Sequence, residues 1–317
     1  MAVITNEVFN KYKRSGEDWR SYINGNYIVN INLKNGTKER IQPDDDADFI
    51  PEFPESLDVN LTMKCRGGCA YCYQKCTPDG EEGDIIGSKF FDTLKPYTEI
   101  ALQVNELDHP DLMYLLEKLK KNHVIANITV NQIHFMAKRY FIKYLVDNDY
   151  IKGLGISYIN YSKEFIREVS YYPNAVLHVI NGIVSKESLE PLYDKGLKVL
   201  VLGYKNLGRG VDYKDKKDDI ITNNQKFLYD NLQEIISRFK VMSFDNLALE
   251  QLNVRRLLST DDWNRFYMGD DGTFTFYIDT VTKTFGSSSL VKKEDMIPIT
   301  PELDDVVKMF EVIRNRK

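Results

Sequence analysis

The stretch that decides the reading is Leu57-Asp58-Val59-Asn60-Leu61-Thr62-Met63-Lys64-Cys65-Arg66-Gly67-Gly68-Cys69-Ala70-Tyr71-Cys72-Tyr73. It sets a C-x3-C-x2-C spacing directly after an apolar-alternating run, residues 57–62, that predicts a β-strand. Three thiolates on one tight loop suit three irons of a cubane iron–sulfur cluster and leave the fourth iron open to another ligand. Gly67 and Gly68 let the backbone wrap closely, taking φ > 0 where a side chain would clash.

All four cysteines of the chain lie between Cys65 and Cys76. A disulfide framework would scatter them through a small secreted chain, so this clustering points to metal or cluster binding. Two other readings compete. A zinc knuckle would use Cys65, Cys69, Cys72 and Cys76 in a very tight site, whereas zinc sites more often use two separated pairs. A ferredoxin-like cluster would also take all four, but its first spacing is shorter. Cys76 is read as a loop thiol outside the cluster.

Outward from the motif, 317 residues with 43% hydrophobic and 28% charged side chains suit a globular chain with a substantial core. The net charge of -5 offers no overall attraction to nucleic acid or anionic lipid. The N-terminal segment has no apolar core of a secretory signal, and no run approaches 18 apolar residues. A cytoplasmic chain without a membrane partner is therefore expected.

Residues 1–54 read as an N-terminal β extension. Asn24-Gly25 and Asn35-Gly36 are turn signals around the alternating Val29-Asn30-Ile31-Asn32-Leu33, and a polar connection through Pro43-Asp44-Asp45-Asp46 follows. Residues 55–245 change rhythm. Strands are expected at 57–62, 99–104, 124–130, 153–158, 175–180 and 197–202, and helices at 112–121, 135–146, 163–169 and 185–195, with Ser185 as an N-cap. Such alternation predicts an α/β fold with a parallel sheet, either open or part of a barrel. The mixed-charge run 213–222 reads as a solvated loop, followed by a helix near 224–238 and a seventh strand at 241–244. Residues 246–317 read as a C-terminal α+β extension. It holds a helix from Asn246, a hairpin of 266–268 and 274–278 around Gly269-Asp270-Asp271-Gly272, and a terminal amphipathic helix at 301–315.

The cysteine spacing, Tyr71 just before the third cysteine, and the place after a first strand together resemble the radical S-adenosylmethionine superfamily. The resemblance covers roughly residues 55–205, with a weaker likeness to short members encoded by bacteriophages. It implies a partial (β/α)6 TIM-like barrel. It also implies that Cys65, Cys69 and Cys72 hold one [4Fe–4S] cluster whose open iron chelates S-adenosylmethionine. Reductive cleavage of that cofactor would then yield a 5′-deoxyadenosyl radical that takes hydrogen from a substrate. No cysteine follows Cys76, so auxiliary clusters are not expected.

The resemblance carries further positions. Tyr71, Glu106, Asn131 and Ser157 are the expected cofactor-binding residues, with Val104 and Asn105 where relatives often have two glycines before the acid. His178 reads first as a core histidine, with Asn181 beside it. Lys205 and Arg209, on the glycine-rich segment 203–210, are read either as meeting a carboxylate or phosphate or as solvated charges of a flexible connection. Reduced flavodoxin or ferredoxin is the implied electron donor. The substrate, whether small molecule, peptide or nucleotide, and the catalytic residues are not specified by the motif. An iron–sulfur electron carrier or a zinc-stabilised binding module is the alternative function.

Overall fold

A computed structural model describes residues 4–43 and 48–316. Asp44, Asp45 and Asp46 of the expected polar connection lie outside the described residues. After helix α1 (Asn6–Tyr12) come β1 (Trp19–Asn24), β2 (Tyr27–Asn32) and β3 (Lys38–Ile41), which form the expected antiparallel meander.

The main body then alternates strands and helices. In order these are β4 (Ser56–Asn60), β5 (Glu99–Asn105), α2 (Leu112–Lys121), β6 (Ile125–Asn131), α3 (Gln132–Ala137), α4 (Arg139–Asp147), β7 (Gly153–Ser157), α5 (Lys163–Val169), β8 (Ala175–Ile180), α6 (Lys186–Leu189), β9 (Lys198–Leu202), α7 (Arg209–Ser237) and β10 (Val241–Phe244). The chain ends with α8 (Asn246–Gln251), α9 (Thr260–Phe266), β11 (Thr275–Asp279), β12 (Thr284–Gly286), β13 (Ile297–Pro298) and α10 (Val306–Asn315).

The ten-stranded sheet has the order β10-β9-β8-β7-β6-β5-β4-β11-β12-β13. From β11 through β4 to β10 the eight neighbours run parallel, and β12 and β13 add an antiparallel edge. This is an α/β fold with a large parallel sheet. Its ladder is open between β10 and β13, so the expected TIM-like barrel is not found as a closed barrel.

Period-two alternation divides the sheet into two faces. Leu57 and Val59, Leu102 and Val104, Ile128 and Val130, Leu177 and Val179, and Val199 and Val201 join one core with Leu115, Leu119, Ile142, Phe165, Leu228 and Phe310 of the helices. The opposite face carries Asp58, Gln103, Thr129, Ser157 and His178. Parallel sheets covered on both faces read as continuous apolar runs, so this alternation marks a sheet with helices on one side and a cavity on the other.

Three sequence expectations are corrected. Residues 213–222 are not a loop but part of α7, which breaks only at Lys217 (φ -136°, ψ 25°). Its first half buries little beyond Gly210 and Ile221, so no apolar stripe announces it. The hairpin lies one segment later than expected: 260–266 is helical, capped by Ser259, and β11 turns into β12 instead. Pairing with β4 selects that register, because β11 extends the main sheet. The helix expected at 135–146 is interrupted at Lys138, where φ is -109°.

The meander is fastened beneath the sheet. The Glu55 carboxylate accepts from Tyr27 Oη at 2.6 Å and Arg40 Nε at 2.7 Å. Lys38 bridges Glu55 (3.4 Å) and Glu99 (2.6 Å), and Asn174 donates to the Lys34 carbonyl at 2.8 Å. Glu99 opens β5 and Asn174 precedes β8, so the meander covers the N-terminal ends of the strands.

Candidate active site

The loop after β4 folds back on itself before β5. Cys65 N–H donates to the Thr77 carbonyl (2.8 Å), Met63 N–H to Glu81 (2.9 Å) and Gly83 N–H to Leu61 (2.8 Å). This narrow neck presents Cys65, Cys69 and Cys72 as free thiols lining a cavity at the C-terminal ends of the strands. Gly68 takes φ +63°, and a Cβ on Gly67 would stand 3.2 Å from Cys65 Sγ, so both glycines answer a geometric need of the loop. Gly67 N–H donates to Cys65 Sγ at 3.3 Å.

Arg209 grips this loop from across the sheet. Its backbone N–H donates to the Cys72 carbonyl at 2.9 Å, its Nε to the Cys69 carbonyl at 3.0 Å and its Nη1 to the Cys76 carbonyl at 3.0 Å. Gly208 takes φ +58° just before it, and a Cβ there would fall 2.1 Å from the Tyr73 carbonyl. Arg209 Nε, Nη1 and backbone N–H are thus engaged with three carbonyls of the cysteine loop. Sequence reasoning missed this role because the two segments are far apart in the chain.

The thiols differ in acidity. Cys72 is held below the ordinary thiol range, chiefly by a hydrogen bond from Cys76, with backbone N–H groups and the Arg209 charge helping. Burial pushes Cys65 and Cys69 up. Cys76 is buried beneath the loop, 3.8 Å from Asn105 Nδ2, and faces Cys72 rather than lying free on the surface.

Glu106 is buried and accepts from the Arg66 backbone N–H and from Arg66 Nη1 at 2.6 Å, with His134 Nε2 3.9 Å away. It thus braces the cysteine loop beside Cys65. Asn105 adopts φ +46°, the left-handed region that favours glycine and that asparagine tolerates best among other residues. Its Nδ2 donates to the carbonyls of Thr62 and Lys64, both at 3.0 Å, so the position binds the loop instead of leaving bare backbone. His109 is structural: Nε2 donates to the Gly83 carbonyl at 2.9 Å while Nδ1 accepts from Asp111 N–H.

Asn131 caps α3, accepting from Ile133 N–H at 2.9 Å, and places Nδ2 3.8 Å from Cys69 Sγ. Ser157 ends β7 and lines the cavity. Asn131, Ser157 and His178 are register partners across β6, β7 and β8, so they share one row. Tyr71 lines the cavity against Tyr213, with ring centres 5.7 Å apart, and burial pushes its hydroxyl up to about 12. Asn181 is buried and donates to Gln251 Oε1 at 3.0 Å, a packing role. Lys205 donates to Ser289 Oγ at 2.7 Å and lies 4.0 Å over the Tyr73 ring.

The cavity encloses about 740 Å³, within the range of about 300–1,000 Å³ usual for small-molecule sites. It is hollow because Ala101, Gly153 and Gly155 stand where other strands carry side chains. A Cβ on Gly155 would meet His178 Cε1 at 2.5 Å, so the imidazole leans into the space that glycine leaves. Burial pushes His178 down to about 4, which keeps it neutral, and pushes Asp58 up to about 6. Asp58, Asp245 and Asp271 were not singled out from sequence. The one available signal was a carboxylate inside the apolar alternation of 57–62.

Four free thiols on one short loop are donors that an iron–sulfur cluster or a zinc ion can take. Among the described residues the trio of metal-ligating atoms within 4.8 Å of one another is Cys65, Glu106 and His134.

No family model and no curated protein matches the chain. Solved structures do match. The fold is similar to that of Streptococcus suis SuiB. That crystal structure, of SuiB bound to S-adenosylmethionine, superposes with a TM-score of 0.60 and 11% identity, covering 91% of this chain and 87% of that one. At this identity the likeness is one of fold. No helix among the described residues is long and apolar enough to cross a membrane.

Proposed function

We propose that this chain is a radical S-adenosylmethionine enzyme, in which Cys65, Cys69 and Cys72 ligate one [4Fe–4S] cluster. The observation that carries the reading is the convergence of three thiols on one braced loop lining the cavity. The fold that holds them resembles one crystallised with S-adenosylmethionine. We read the open parallel sheet as the wall of a partial barrel with its cavity inside.

When bound, the cluster and S-adenosylmethionine supply one-electron reductive cleavage of the sulfonium and hydrogen-atom abstraction from a substrate. The protein's own part is positional. Arg209, Asn105 and Glu106 fix the cysteine loop. Asn131 presents a polar atom beside Cys69 and Ser157 one in the neighbouring strand position for the cofactor, and Tyr71 walls its side. The meander closes the end of the cavity away from the cysteine loop. A carrier or sensor needs no such cavity. A reduced flavodoxin or ferredoxin is the proposed electron donor.

The test is anaerobic reconstitution followed by reduction with dithionite. About four irons per chain, kept in Cys76→Ala and lost in Cys69→Ala, with release of methionine and 5′-deoxyadenosine, is the expected result. A fully loaded, reduced protein that leaves S-adenosylmethionine intact overturns the proposal, as does a cluster that requires Cys76.

A further inference from the structure

The wall of the cavity formed by β4, β11 and the segments after β9 and β10 carries more negative than positive charge among the described residues. Asp58 sits on the inner face of β4, register partner of Tyr277 on one side and of Ala101 on the other. Among the described residues no hydrogen bond or ion pair reaches its carboxylate. Its accessible area faces the cavity, and Ala101 leaves room beside it.

The neighbouring groups are committed elsewhere. Asp245 accepts from Gly203 N–H (2.9 Å) and Ala248 N–H (2.7 Å). Asp271 accepts from Asn246 Nδ2 at 2.6 Å. Lys205, the cation facing this wall, is hydrogen-bonded to Ser289 and stacked on Tyr73. Among the described residues Asp58, Asp245 and Asp271 thus face Lys205 as the neighbouring cation, a surplus of negative charge on the cavity wall. Across the cavity His178, neutral, makes no hydrogen bond among the described residues. A carboxylate that opens onto a cavity with no hydrogen bond from the protein can accept a charge-assisted bond from a cationic ligand.

We infer that this wall is the substrate subsite and that Asp58 receives a cationic group of the substrate, an ammonium or guanidinium. The inference rests on the enzymatic reading above and adds the substrate's charge to it. Lys205 bounds the subsite and disfavours a second cation beyond the first, while Ala101 and Gly153 leave the width for an alkyl stem.

The test uses the reconstituted protein and three probes of matched length: n-butylguanidinium, neutral n-butylurea and butyrate. Calorimetry on wild type should show n-butylguanidinium binding about ten- to a hundredfold more tightly than n-butylurea, as a charge-assisted hydrogen bond predicts. Asp58→Asn, which keeps the side chain's shape, should erase that preference, and thermal melting of the variant reports whether it is folded. Should that variant not fold, Ala101→Leu, which fills the space beside Asp58, should remove guanidinium binding instead. Equal affinity for the charged and neutral probes, tighter binding of butyrate, or a preference that survives in Asp58→Asn overturns the inference. Iron content and S-adenosylmethionine cleavage are read separately, so loss of charge selectivity with cleavage intact breaks only the substrate assignment.

Discussion

The two faces of the main sheet come from the same strands and behave as opposites. On the outer face Leu57, Val59, Leu102 and Val104 are buried against helices in one continuous core. On the inner face, one residue away, Asp58, Gln103, Thr129 and His178 border open volume. The outer face holds the fold together through buried apolar area. The inner face contributes little cohesion and keeps polar groups at fixed positions, because the strands beneath them are already held from behind.

That contrast can be broken most forcefully on the outer side. Leu102→Ala should cost about 2–5 kcal/mol of stability in urea unfolding, while Thr129→Ala, on the neighbouring strand's inner face, should change it by no more than about 1 kcal/mol. Similar losses at both positions would mean that the inner face is packed rather than hollow.

The cysteine loop should respond next. Arg209→Ala removes two donors from its carbonyls and should weaken the local structure by about 2 kcal/mol, seen as faster amide exchange across 65–76 and faster iron loss to a chelator. Arg209→Lys should not restore it, because an ammonium cannot reproduce the planar fork that reaches both Cys69 and Cys76. Full rescue by lysine would show that charge alone matters there.

The smallest expected effect is on pH dependence. Burial raises Asp58 to about 6, above its unfolded value, so the folded state keeps the proton longer than the unfolded state. Stability from this group is therefore fully present below the unfolded value and lost as pH rises through about 6. Asp58→Asn should raise the melting temperature at pH 8 relative to wild type and have no such effect at pH 3.5. Glu55 behaves in the opposite sense. Burial pushes it up, but Lys38 and Arg40 pull it down further, leaving it below the usual carboxylate range, so its contribution is present at neutral pH and lost on acidification.

Much of this was legible in the residues. The strands at 99–104, 175–180 and 197–202, the α2 helix and the Ser185 cap follow from apolar periodicity and local capping chemistry, and they form where expected. The α7 run was not legible, because a helix that is charged nearly all round carries no stripe to read. The hairpin at 266–278 misled for a related reason. Gly269 and Gly272 do take positive φ, at +101° and +77°, but a turn signal does not say which flanking segments will pair. At the site, Cys65, Cys69 and Cys72 could be picked out because ligand chemistry demands thiols at close spacing. Arg209, Asp58 and Asp245 could not, since an arginine in a glycine-rich segment or an aspartate in a strand has no local mark of its partners.

By itself the sequence determined the local units: which segments alternate as strands, where helices start, and that three thiols share one short loop. These depend on neighbours within a few residues, where backbone geometry and side-chain chemistry act directly. Only the tertiary structure decided that β11 joins the sheet beside β4, that Arg209 reaches the cysteine loop, and that Asp58 opens onto the cavity. Those facts depend on contacts between segments up to about 220 residues apart, selected by the packing of one apolar face against its helices.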